Sequence, residues 1–409
     1  MTGNGRTRDV CNTIVRTALV LALGACRDST PSVTTEPPLP TGDGYLSQQG
    51  LGRVNDRYTA EVWVRGNTGY TTTWGTRGAR VGNAVKVWDV SGAIPLLVDS
   101  LIVANAATLG DVQVSDDGSL LVVAVEYQPH GGLALYSLAD PRKPLLVTQY
   151  TSTTLQWGVH TAEVARVRGR LYAFCAVDPG SAVEAKLVIV DITNPATPVE
   201  VSVLSIGYPF VHDVFVRDGL LFTAEWYQGL GIYDIGAQGG SPSNPQFVSR
   251  VRTVGGQVHN VWWFHDPSTG AKRFAFVGEE GPGVVGSSSQ GDIHVVDLTD
   301  LNHPREVAYY RVSGAGTHNF SMDEENGILY AAFYNAGVHA LDVRGDLSVC
   351  EESQRHADGR CQLHLIAGRQ KAIQASGVPV FVWGVHYTGG AVYASDMLSG
   401  LFKFSPVRR

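Results

Sequence analysis

Short apolar runs, each closed by a polar turn, recur along the whole chain. The fullest copy is Leu187-Val188-Ile189-Val190-Asp191-Ile192-Thr193-Asn194-Pro195-Ala196-Thr197-Pro198, in which an apolar run ends in an aspartate and a proline-bearing turn leads to the next run. Related copies are Val85-Lys86-Val87-Trp88-Asp89-Val90, Leu133-Ala134-Leu135-Tyr136-Ser137-Leu138, Gly231-Ile232-Tyr233-Asp234-Ile235, His294-Val295-Val296-Asp297-Leu298, Val338-His339-Ala340-Leu341-Asp342-Val343 and Leu401-Phe402-Lys403-Phe404-Ser405. Runs this short, bounded by Gly, Asn, Asp and Pro, predict strands rather than helices. Their return at intervals of about 40 to 65 residues predicts a repeat architecture.

One unit shows the plan. Residues 212–219 predict a short strand and a turn, 220–226 a second strand, 229–235 a third, and Asn244-Pro245 a turn into a fourth at 246–251. Four short antiparallel strands make a meander, and a lone meander exposes both faces until neighbouring sheets stack on it. Seven such units begin near Thr59, Leu109, Val159, Val211, Val258, Thr317 and Val385. The expected fold is therefore all-β, a seven-bladed propeller of four-stranded antiparallel blades over residues 45–409. The last unit stops after its third strand, whereas Tyr45 to Val54 precedes the first unit with nothing of its own to pair with. That N-terminal piece is expected to supply the missing fourth strand and close the ring, which removes open sheet edges.

The Leu-Val-Ile-Val-Asp core and its Asn-Pro-x-x-Pro turn resemble the LVIVD repeat of bacterial surface β-propellers. His259-Asn260-Val261-Trp262 and His212-Asp213-Val214 resemble motifs of the same group. The likeness runs over nearly all of residues 45–409, close in the third unit and looser in the first and seventh. It implies the propeller fold and an envelope location; it implies no common reaction.

Histidines recur at the predicted start of the first strand in five successive units, at His160, His212, His259, His318 and His386. The first two units carry Ala60 and Gly110 there instead, and Trp157-Gly158-Val159-His160 returns as Trp383-Gly384-Val385-His386. First strands line a propeller's channel, so these side chains are expected at one rim of it. Acidic residues fall near the end of the second strand: Glu126, Asp178, Glu225, Glu279, Glu280 and Asp396. Antiparallel pairing sets that end beside the start of the first strand. A ligand site at this rim would draw on the five histidines with Glu225 and Asp396. A transition-metal ion would draw on His212, His259 and His318, because imidazole and carboxylate are both ligands for such ions. The other reading is structural, each histidine bonding neighbouring blades as buried polar groups require. The absence of histidine from two units leans toward a one-sided pocket.

The first residues read as an address. Arg6, Arg8 and Arg16 precede the apolar run at 18–23, which is too short for a membrane span and ends in small residues, the layout of a signal peptide. Leu23-Gly24-Ala25-Cys26 resembles a bacterial lipobox, which implies removal of residues 1–25, a lipidated Cys26 and anchorage to the membrane on its extracytoplasmic side. The alternative is an ordinary signal with an incidental cysteine. Residues 26–44 are rich in Ser, Thr and Pro and read as a flexible tether.

Loss of residues 1–25 moves the net charge from −7 to −9, and an acidic chain without a basic run argues against nucleic acid as a partner. A protein or small-molecule ligand remains open. In an oxidising compartment Cys350 and Cys361, flanking a polar segment, are expected to form a disulfide, with zinc as the competing reading; Cys175 reads as a packing residue. Gly281-Pro282-Gly283-Val284-Val285-Gly286 fits G-x-G-x-x-G literally but lies between strands with no helix after it, so a dinucleotide site is rejected. The Gly/Ser segment 278–291 reads instead as a flap over the histidine face. No serine-hydrolase elbow, EF-hand or zincin motif occurs. Three functional readings stand: a binding or scaffolding module, a hydrolytic or redox metalloenzyme working at the rim, and a purely structural envelope protein with no small-molecule ligand.

Overall fold

The computed structural model describes residues 44–126, 129–178, 183–281 and 283–408. The expected signal segment, Cys11, the lipobox cysteine Cys26 and nearly all of the tether lie outside the described residues. Within them the chain forms seven small sheets of four principal antiparallel strands, one blade per repeat unit. The first strands are Tyr58–Arg65, Leu109–Val114, Val159–Val167, Asp213–Arg217, Val258–Trp263, Phe320–Asp323 and Val382–Thr388. Successive first strands lie side by side, and that of the first blade meets that of the seventh, so the ring is closed.

The repeat's apolar core follows from where the third strand sits. In the third blade Ala185–Asp191 is sandwiched between sheets, and Leu187, Val188, Ile189 and Val190 are all fully buried. A strand covered on both faces needs a continuous apolar run rather than alternation. The aspartate that ends the run turns the chain: its Oδ1 accepts the amide two residues on, from Ser91 to Asp89 at 3.0 Å, Thr193 to Asp191 at 2.9 Å, Gly236 to Asp234 at 2.9 Å and Thr299 to Asp297 at 3.0 Å. This Asx turn starts the connection to the outer strand. The amides of Gly236, Ala237, Gln238 and Gly240 around Asp234 outweigh its burial and bring its carboxyl down to about 2. In the second blade Ser137 Oγ takes the same part, accepting from Ala139 at 3.3 Å. Inner hairpins turn on residues with positive φ, as at Asp218 (51°) and Gly219 (74°), the conformation that a two-residue turn between twisted strands requires.

Seven hydrophobic clusters fill the gaps between neighbouring blades. The cluster joining the seventh blade to the first contains Val54, Val62, Val64, Trp88, Val90, Ala391, Tyr393 and Leu401. Cys175 lies fully buried between the second and third blades, as a packing residue.

The N-terminal strand closes the ring as the sequence led one to expect. Gln48–Arg53 runs antiparallel along Gly400–Phe404, with Leu51 opposite Phe402 and Arg53 opposite Gly400. One detail was not foreseen: Gly44–Tyr45 pairs in parallel with Gln370–Ile373, so the same terminus also edges the sixth blade. A second edge is covered by the insertion between the third and fourth strands of the sixth blade. Its disulfide, Cys350–Cys361, forms as expected, and Cys361–Gln362 pairs in parallel with Arg305–Tyr310 at the rim of the fifth blade.

The seventh blade differs from its expected register. Its first strand starts at Val382 rather than near Val385, because Val382 already pairs with Asp396.

Candidate functional site

The histidines owe their placement to a bulge at the head of each first strand. In the third blade Val159 pairs with Val177 and Thr161 with Ala176, which leaves His160 as the extra residue. His259 is the extra residue between Val258 and Asn260. The amides of His212 and His318 each donate to the end of the second strand, to Ala224 O and Ala332 O at 2.8 Å. A bulge re-aims a side chain out of the pleat, and here it turns the ring into the channel mouth.

Four rings then form an arc. Centroids are 4.2 Å apart for His160 and His212, 4.2 Å for His212 and His259, and 4.1 Å for His259 and His318. The arc continues through Trp383, 4.3 Å from His318, to Trp74, 5.5 Å from Trp383. Trp74 Nε1 donates to Glu126 Oε2 at 2.8 Å, and Glu126 Oε1 meets His160 Nδ1 at 3.0 Å, completing the circle.

His386 does not join it. In the seventh blade the bulged residue is Trp383, flanked by the Val382–Asp396 and Gly384–Ser395 pairs. His386 therefore lies three residues deeper, where its Nδ1 accepts the Val64 amide at 3.3 Å and its ring meets the edge of Trp63. The two copies of Trp-Gly-Val-His are not equivalent: Trp157 ends a short 3-10 turn before its strand, whereas Trp383 lies within one. Identical letters in a different register place the second histidine off the rim.

The carboxylates also divide. Glu280 Oε2 approaches His212 Nε2 at 3.6 Å and His259 Nε2 at 3.8 Å, and the Tyr334 hydroxyl donates to its Oε1. Glu126 serves His160, and the charge of Asp178 acts on the same ring. Glu225 and Asp396, expected at the ligand site, are engaged elsewhere. Glu225 accepts from Thr223 at 2.7 Å and pairs with Arg250 at 2.5 Å, on the outer side of its blade. Asp396 accepts the Phe381 amide at 2.5 Å and braces the loop into the seventh blade. Glu279 faces His294 at 2.9 Å, away from the arc. Side chains alternate along a strand, so neighbours such as Glu279 and Glu280 point to opposite sides.

Burial and mutual repulsion set the charges of the arc. Burial first, then neighbouring histidines, holds His212, His259 and His318 well below the usual imidazole value, so they are neutral at pH 7. Burial acts the same way on His160, but Glu126 overrides it and lifts that ring to about 9. Burial also raises Glu280. The outcome is one imidazolium beside three neutral rings, of which His259 and His318 share a hydrogen bond between their Nε2 atoms at 3.1 Å.

Beneath the mouth lies a cavity of about 230 Å³ lined from all seven first strands. Its polar wall is built largely by the residue that follows each bulge: Glu61, Asp111, Thr161, Asp213, Asn260 and Asn319. Gln113, Glu163 and His386 complete it. Burial raises the Glu61 and Asp111 carboxyls, brings Asp213 to about 7 and takes Glu163 to about 8. This polar row was overlooked in the sequence, although a column of polar residues after each bulge position could have revealed it. Tyr334, Trp74 and Trp383 gave no comparable signal.

The described residues of the 278–291 segment lie beside this face and are pinned there. Gly281 pairs with Gln290, the Gly316 amide donates to Ser289 Oγ at 2.7 Å, and Val285 packs with Tyr334 and Trp383.

No curated protein matches the chain. The LVIVD repeat profile matches residues 172–204, which cover the second to fourth strands of the third blade, and residues 210–253, which cover the fourth blade entire. The protein is thus a seven-bladed β-propeller that carries LVIVD repeats in its third and fourth blades.

Proposed function

We propose that the protein is an extracytoplasmic binding module, lipid-anchored through Cys26, that takes its ligand into the propeller channel through the histidine-bearing mouth. The observation that carries this reading is a polar cavity to which every blade contributes, walled by the residues that follow the arc positions in the sequence. Rigid rings that present many strand ends and loops around one opening are a common way to build a binding site. Four carboxylates in so small a space favour a ligand with positive charge or many hydrogen-bond donors, since such a ligand would relieve their mutual repulsion. The tether would let the site search close to the membrane surface.

The test is a thermal-shift screen of the mature protein with polyamines, choline and basic amino acids. A true cavity ligand should raise the melting temperature of the wild type by several degrees and leave Glu163→Leu unmoved. Its affinity should also rise from pH 6 to pH 8. Glu163, held at about 8 by burial, near Asp111 and Asp213 and bonded by Gln113 at 2.7 Å, is mostly protonated at the lower pH and must lose that proton to meet a cation. Absence of any shift across the panel would count against the channel as a binding site.

The second reading, a metal-dependent enzyme of the envelope, draws on one observation: ligand atoms of His212, His259 and Glu280 all lie within 4.8 Å of one another.

A further inference from the structure

We propose that the channel mouth holds one divalent transition-metal ion, ligated by Nε2 of His212, Nε2 of His259 and a carboxylate oxygen of Glu280, with the fourth position left to water or ligand. The proposal rests on the reading of the mouth as the functional site, and it names a ligand of that site.

The geometry carries it. His212 Nε2 and His259 Nε2 converge on the same oxygen of Glu280 at 3.6 and 3.8 Å. Both gaps exceed hydrogen-bond length, so the three groups face one another without bonding. For an ion bound tetrahedrally at about 2.0–2.1 Å from each donor, neighbouring donors stand roughly 3.3 Å apart. Both observed gaps lie within a few tenths of an ångström of that spacing, on the long side.

The surroundings match what a metal centre needs from its second layer. The Tyr334 hydroxyl donates to Oε1 of Glu280, which leaves Oε2 turned toward the histidines. The Trp226 ring stacks on His212 at 5.3 Å and 20°, and Trp383 packs on His318, so ring orientation is fixed before any ion arrives. Partners of this kind commonly orient ligands and tune affinity.

A structural arc would account for these features less well. One bond of that kind is present, between Nε2 of His259 and Nε2 of His318 at 3.1 Å, but rings serving only that purpose should have their nitrogens engaged, and Nδ1 of His212 is buried with no hydrogen-bond partner among the described residues. His212 and His259 both turn Nε2 toward Glu280. Two imidazoles with one carboxylate suit zinc, copper, cobalt or iron and not calcium or magnesium, which take oxygen donors.

The test uses the mature chain, purified without a histidine tag, stripped with chelator, reloaded with zinc or cobalt(II) and desalted. Mass spectrometry should find about one ion per chain, and the cobalt form should show the intense visible bands of tetrahedral cobalt(II). His259→Gln and Glu280→Gln should each reduce retention to near zero, whereas the exposed His303→Gln should retain the full ion. A melting curve of each variant separates loss of ligand from loss of fold. Should both site variants fail to fold, a metal-dependent rise in the wild-type melting temperature, competed away by chelator, supports the site. No ion retained by the folded wild type, or full retention by folded His259→Gln, overturns the proposal. A polyamine that binds the cavity of metal-free protein would leave the binding-module reading standing while the metal site fell, so the two failures are distinguishable.

Discussion

A chain shortened to begin at Arg57 should melt about 10 °C or more below one that begins at residue 44. The removed segment buries Leu46 and Val54 to 4% and 3% exposure and half-buries Leu51. At about 1.5–3 kcal/mol for each large aliphatic side chain, the apolar loss alone is roughly 5 kcal/mol. The ladder along Gly400–Phe404 goes with it and exposes that edge. Such a loss is comparable with the whole stability of many domains, about 5–15 kcal/mol. The effect should also be cooperative, because Val54 belongs to the cluster that joins the seventh blade to the first. Differential scanning calorimetry decides the matter: an unchanged melting temperature would mean that the ring holds without its closing strand. Adding the missing segment as a synthetic peptide should restore much of the loss.

Replacement of Glu306 by glutamine should cost about 3 kcal/mol at neutral pH, the order expected when one partner of a buried ion pair is removed. Glu306 receives His294 Nδ1 at 2.6 Å, the Val254 amide at 2.8 Å and the Arg360 guanidinium from the disulfide-closed loop. His294 is fully buried, so the substitution strips one of its two carboxylates in a place water cannot reach. Burial opposes the charge on His294, but Glu279 and Glu306 outweigh it and lift the ring to about 9. Its stabilising contribution is complete below the unfolded value near 6.5 and fades as pH rises through about 9. Burial acts against Glu306 too, yet His294 and then Arg360 hold it below the usual carboxylate range, so its contribution exists above about pH 4.5 and fades in acid. The gap between wild type and Glu306→Gln in denaturant midpoint should thus be widest between about pH 5 and 7, shrink part of the way by pH 10, where charged Arg360 still pairs with Glu306, and close in acid as Glu306 takes up its proton. A gap that does not vary with pH would show that shape rather than charge decides the effect.

The fold was legible because its physics is local and repeated. A short run such as Leu187 to Val190, bounded by turn residues, suits a strand buried on both faces, and Asp191 marks its end through a bond to an amide two residues on. Seven copies make a ring, and an unpaired strand at one terminus with a vacancy at the other implies the closure found between Gln48–Arg53 and Gly400–Phe404. The Cys350–Cys361 disulfide was legible for a similar reason, two cysteines close in sequence across a polar loop.

The site was only partly legible, and register explains why. Four of the five recurring histidines meet at the mouth, but His386 does not, because the bulge of the seventh blade falls on Trp383. One residue of pairing decides whether a side chain enters the mouth, the cavity or the gap between blades. Glu225 and Glu280 occupy similar places in the sequence, yet the first is turned to Arg250 and the second to His212 and His259. The sequence by itself determined the strands, their turns, their number and the closure, since each depends on neighbours along the chain. Which nitrogens and oxygens converge was decided only by the tertiary structure, because donors from the fourth, fifth and sixth blades, far apart in sequence, come within a few ångströms only once the ring is closed and the bulges are set.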